Sequence, residues 1–125
     1  MAVNLLDLGW EVAILPVNPD NIPYAFLIKL DDLTFKFTFK YNEIGKFFTV
    51  DLETIDGEIL AYGDILRYGR PLFGPIEDER FPLPVIIPLQ LNGNEDKITI
   101  DNFGRTVNLY LFPRSGITLP EGGNV

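Results

Sequence analysis

The chain is 125 residues long, holds no histidine and no cysteine, and sets 10 Lys+Arg against 18 Asp+Glu, a formal net charge of −8. Its single serine is Ser115. That composition excludes a disulfide framework, a thiolate nucleophile, a Cys/His metal centre and any serine or cysteine nucleophile that leans on a histidine base.

One domain is expected at this length. Surface scaling gives roughly 6,800 Å² folded against roughly 20,600 Å² extended, enough burial for one modest core. The hydrophobic content of 46% supplies that core. No apolar run reaches the length of about 18 residues that a membrane helix needs. The opening stretch MAVNLLDLGWEVAIL lacks a basic region and carries Asp7 and Glu11, so it does not read as a signal peptide. The missing cysteines fit synthesis in a reducing cytosol. The acidic balance works against nonspecific nucleic-acid binding and against anionic membranes. Solubility is its commonest cause.

Residues 1–10 form a short apolar segment around Leu5, Leu6, Leu8 and Trp10, with no clear period. They read as an N-terminal arm or a single helical turn. Residues 11–15 read as a short strand stopped by Pro16, and 17–23 as a loop, because Pro19 and Pro23 lack the ladder donor. Residues 24–30 and 33–41 read as a hairpin across Asp31-Asp32. The second strand alternates strictly: Leu33, Phe35, Phe37, Phe39 and Tyr41 against Thr34, Lys36, Thr38 and Lys40. Period two means one dry face and one wet face. After a turn at 42–45, residues 46–54 alternate again, with Phe48, Val50 and Leu52 inward and Thr49, Asp51 and Glu53 outward. Asp56-Gly57 is the best hairpin signal, and 58–62 returns as a strand. Residues 63–80 are turn-rich. The run 81–88 (FPLPVIIP) suits an edge strand or an extended segment. After a turn at 92–94, residues 97–100 and 105–112 read as two further strands. Residues 114–125 read as a flexible tail. The expected architecture is therefore all-β: a small antiparallel barrel or sandwich of about eight short strands over 11–113.

Chemistry has few places to reside. Asp51 and Glu53 lie two apart on one strand, as a carboxylate pair for glycoside hydrolysis would. Alternation puts them on the wet face, where a solvated pair is the ordinary reading. The acidic run 77–79, Asp96 and Asp101 lack the spacing of a hard-cation loop. No catalytic, cofactor or metal residue is assigned. Lys36 and Lys40 share a polar face, but the aromatics that could stack bases lie on the opposite one. Phe47 is the exception to alternation, falling beside Thr49 as an outward contact anchor, at a bulge, or packed under a loop. Arginine and tryptophan are enriched at protein interfaces. The candidate interface residues are Leu5, Leu6, Trp10 and Phe47, together with Arg67, Arg70, Phe81 and Arg114.

At residues 33–73 the pattern resembles the phage baseplate plug family, small tail proteins of contractile-tailed phages. The features run in order: Ile14-Leu15-Pro16, Asn18-Pro19, Tyr24, then Phe39-Lys40-Tyr41-Asn42. Phe47 to Leu52, Asp56-Gly57-Glu58, Gly63, Leu66, Gly69 and Pro71-Leu72-Phe73 follow. Phe103 to Tyr110 resembles the closing strand. The resemblance covers roughly 11–113. Segment 1–10 and region 74–102 depart from the pattern.

The resemblance implies a structural protein of the virion, not an enzyme, made in the host cytoplasm. It implies a plug near the baseplate centre, contacting hub and spike proteins, in several copies within a larger assembly. No cofactor, no direct nucleic-acid contact and no membrane are expected. A carbohydrate- or ligand-binding β module for receptor recognition is the alternative; it needs outward aromatics over a groove, with Phe47, Tyr62, Tyr68 and Trp10 as candidates.

Overall fold

The computed structural model describes residues 2–5, 10–30, 33–73 and 84–112, with 2–5 and 10–12 described by backbone alone. The described chain is all-β. Its strands are β1 (Ala2–Leu5), β2 (Trp10–Leu15), β3 (Tyr24–Leu30), β4 (Leu33–Asn42), β5 (Phe47–Thr54), β6 (Ile59–Ile65), β7 (Val85–Leu89) and β8 (Asn108–Phe112). A 3-10 turn at Pro19–Asn21 is capped by the Asn18 side chain, which accepts from Asp20 N–H. No helix among the described residues is long and apolar enough to cross a membrane.

Two four-stranded antiparallel sheets result, in the orders β3-β4-β5-β6 and β1-β2-β8-β7. The first is the expected meander. Its dry face carries Phe35, Phe37 and Phe39 of β4 and Phe48, Val50 and Leu52 of β5. These meet Leu15, Ile86 and Leu109 of the other sheet in one core, so the sheets pack as a sandwich and do not close into a barrel. Phe26, Phe37 and Phe39 lie nearly parallel, with centroids 5.8 to 6.3 Å apart. Phe103 tilts against Phe48 at 4.6 Å and Phe39 at 6.1 Å, sealing one end.

The described end of the proline-punctuated run, from Val85 on, forms the edge strand β7, and its lack of alternation has a physical cause. Ile86 faces the main core, while Val85, Ile87 and Leu89 join Tyr110, Phe112, Ile14 and Leu91 in a second apolar cluster. A strand dry on both faces reads as a continuous apolar run. The outer edge of β7 is covered by a loop, with Gly69 N–H donating to Pro88 O (2.8 Å) and Leu72 N–H to Ile86 O (2.8 Å).

Two expectations need correction. Ala2–Leu5 is a strand paired antiparallel with β2, not a helical turn. Residues 97–100 are not a strand. The buried Asn102 side chain accepts from Thr99 N–H (2.8 Å) and donates to Lys97 O and Glu95 Oε1 (3.0 Å each), while Phe103 N–H donates to Thr99 O (3.1 Å). These local bonds take the backbone groups a ladder would need. The Asp31-Asp32 turn and the tail from 114 onward lie outside the described residues.

Candidate protein-interaction surface

The outer face of the meander is built by alternation. Lys36 and Lys40 project from β4 on the side opposite its phenylalanines, and Asp51 and Glu53 do the same from β5. Register places Lys36 opposite Glu53, with Nζ and Oε2 4.0 Å apart. Asp51 is opposite Thr38, and Lys40 reaches it diagonally, Nζ to Oδ2 at 3.3 Å.

Asp51 was expected on the wet face, yet it is 6% exposed. A neighbouring strand does this. The β5–β6 register shifts on either side of Leu52, and Gly63 in the bulged strand has φ +71°, a conformation costly for side chains with a Cβ. The bulge turns Gly63 N–H onto Asp51 Oδ1 at 2.7 Å. Lys40 occupies the other oxygen, and its ammonium also lies 5.1 Å from the centre of the Tyr62 ring. The Asp51 hydrogen bond, then the Asp51 charge and then Tyr62 raise the Lys40 pKa above its ordinary 10.5. With both oxygens engaged, Asp51 is a structural anion joining β4, β5 and β6.

The candidate interface residues fall in several places. Arg67 and Arg70 are exposed and brought together: Arg70 N–H donates to Arg67 O at 3.1 Å, closing one turn. Phe47 opens β5 and is half-buried, its ring pressed over Gly45 so closely that a Cβ there would clash. Leu66 N–H donates to Phe48 O, which carries the start of β5 alongside the Arg67 turn. The backbones of Leu5 and Trp10 are register partners across β1 and β2. Leu6, Phe81 and Arg114 lie outside the described residues. Among the described aromatics Tyr62 alone is exposed, at 73%; Tyr68 and Phe47 are half-buried.

Other exposed apolar side chains escaped the sequence reading. Ile44 is 97% exposed at the tip of the β4–β5 turn, and Ile55 is exposed beside Asp56-Gly57. Their signal was available, since an isoleucine inside a turn has no sheet face to enter. Leu27 and Ile59 are exposed on the outer strands β3 and β6. Tyr62, Arg67 and Phe73 line an open depression of about 360 Å³ with Ala61, Gly63, Asp64 and Ile65. A smaller one, about 250 Å³, opens between the Pro19–Asn21 turn, Tyr41 and Ile100. Arg105 rims it and bonds Asp20 Oδ1 at 2.7 Å.

Compared with known proteins, the chain matches no curated protein and no solved structure. Residues 12–114 match the family described as cyanophage baseplate Pam3 plug gp18, a span that takes in 74–102 and leaves out the first eleven residues. That span holds β3 to β8, most of β2, the bulge that buries Asp51 and the Arg67–Arg70 turn. The chain therefore belongs to the cyanophage baseplate Pam3 plug gp18 family, structural proteins of the phage tail baseplate.

Proposed function

We propose that this chain is a non-enzymatic plug near the centre of a phage tail baseplate, present in several copies and contacting hub and spike proteins. The observation that carries the reading is the family match over 12–114. Surface chemistry supports it. In the best carboxylate pair Asp51 has both oxygens engaged, by Lys40 and by Gly63 N–H, which ties it to a structural role; Glu53 lies 4.0 Å from Lys36. The interface role of Leu5, Leu6, Trp10, Phe47, Arg67, Arg70, Phe81 and Arg114 belongs to the same proposal. A net charge of −8 supports a protein that stays off DNA passing nearby.

Purified particles, with the tail separated and its proteins quantified by mass spectrometry, test this. The chain is expected in the baseplate fraction at a fixed ratio to hub proteins. Its absence there overturns the reading. The receptor-binding alternative has one observation in its favour, the exposed Tyr62 at the rim of a depression. A glycan array bound by the wild-type chain and not by Tyr62→Ala moves the assignment to it.

A further inference from the structure

Arg67 and Arg70 stand exposed on a chain of net charge −8, and neither forms an ion pair among the described residues. They are the first and last residues of one β-turn, which sets their Cα atoms within about 7 Å of each other. The two residues between them fasten the turn to the second sheet. Tyr68 Oη accepts from Gln90 N–H at 3.0 Å, and Gly69 N–H donates to Pro88 O at 2.8 Å. The middle of the turn is thus fastened to the second sheet, and the arginines at its two ends are exposed. Arg67 also borders the depression that Tyr62 and Phe73 line. One carboxylate shares that lining, Asp64, and its Oδ2 accepts from Phe73 N–H at 2.9 Å.

We propose that this turn and depression receive an acidic segment of a neighbouring baseplate protein, its carboxylates on Arg67 and Arg70 and an apolar side chain against Tyr62. The inference rests on the baseplate reading and adds the site and the chemistry of the partner. Arginine forks take carboxylates in bidentate pairs, and a tyrosine beside them supplies apolar contact area. Fastening the turn beforehand removes the backbone part of the ordering cost of binding. Charge favours a short acidic peptide over nucleic acid. Two arginines neutralise few phosphates, and the remaining net negative charge repels a long polyanion.

The test places a photo-cross-linking amino acid at Tyr62 in the full chain within assembled particles, with a control at Ile55 at the opposite hairpin end. Cross-linked peptides are sequenced by mass spectrometry. The expected product joins Tyr62 to a segment of another baseplate protein with an excess of Asp and Glu. In the double variant R67E/R70E that product falls by about tenfold, while R67K/R70K, which keeps the charges and loses the forks, falls by less. Loss of the product, or of incorporation, in a charge-reversed chain of unchanged Tm supports the proposal. A neutral or basic segment at Tyr62, a cross-link to DNA, a product insensitive to R67E/R70E, or no product from a chain that keeps Arg67 and Arg70 and is present in the particle overturns it. A chain absent from the baseplate fraction overturns the baseplate reading itself.

Discussion

The Asp51 carboxylate accepts from Lys40 of β4 and from the backbone of Gly63 in β6, so one side chain pins three strands. A buried acceptor with two donors is costly to remove, because its partners lose their bonds together. Asp51→Ala is expected to lower stability by about 1–3 kcal/mol, read as a shift of the urea midpoint at constant slope. Asp51→Asn keeps an oxygen for Gly63 and removes the charge facing Lys40, so it isolates the ion pair. The Lys40 pKa is raised in the folded chain, so the pair's contribution is fully present below the unfolded value of 10.5 and is lost as pH rises through the folded value. The stability gap between wild type and Asp51→Asn is therefore expected to hold from neutral pH to about 10 and to shrink above 10.5. A gap unchanged at pH 11.5 would remove Lys40 from the account. By contrast the Arg105–Asp20 pair, though 2.7 Å long, is exposed on both sides and contributes little.

At the scale of elements, the 99–107 turn shows how a few side-chain bonds displace a strand. Val and Ile favour strands, and residues 97–100 carry two isoleucines, yet Asn102 supplies an acceptor to Thr99 and donors to Lys97 and Glu95. Asn102→Asp trades the donors for a carboxylate facing two acceptors. It is expected to destabilise by about 1–3 kcal/mol in denaturant unfolding, more than Asn102→Ala. Gly104 completes this turn at φ +79° with Pro19 Cδ 2.9 Å from where a Cβ would sit. Gly104→Ala meets both the backbone penalty and the proline ring, and a loss of about 1–3 kcal/mol in thermal unfolding is expected. Part of this is legible in the sequence: Asp101-Asn102-Phe103-Gly104 reads as the connection between the strands expected at 97–100 and 105–112. What composition did not reveal is that the turn reaches back to 97, because the amide's range depends on which carbonyls come within 3 Å.

For the whole molecule, the ring stack of Phe26, Phe37 and Phe39 on one sheet, capped by Phe103, shares one core with Leu15, Ile86 and Leu109 of the other sheet. Phe39 is fully buried and touches both the stack and the cap. Phe39→Ala is expected to cost about 3–5 kcal/mol, a large share of a small domain's stability. Tyr62→Ala, on an exposed ring, is expected to change it by less than about 1 kcal/mol. Comparing the two midpoints separates core from surface. The sequence by itself determined the all-β class, the meander through 24–62 and the inward facing of Phe35, Phe37, Phe39 and Phe48. Those follow from period-two alternation and from turn residues, which are local properties of the chain. Only the tertiary structure decided three other matters: that β2 and β8 pair although more than ninety residues separate them, that both faces of β7 meet apolar clusters, and that a bulge in β6 closes over Asp51. Each depends on which distant surface arrives opposite a given face, and alternation specifies the face without naming its partner.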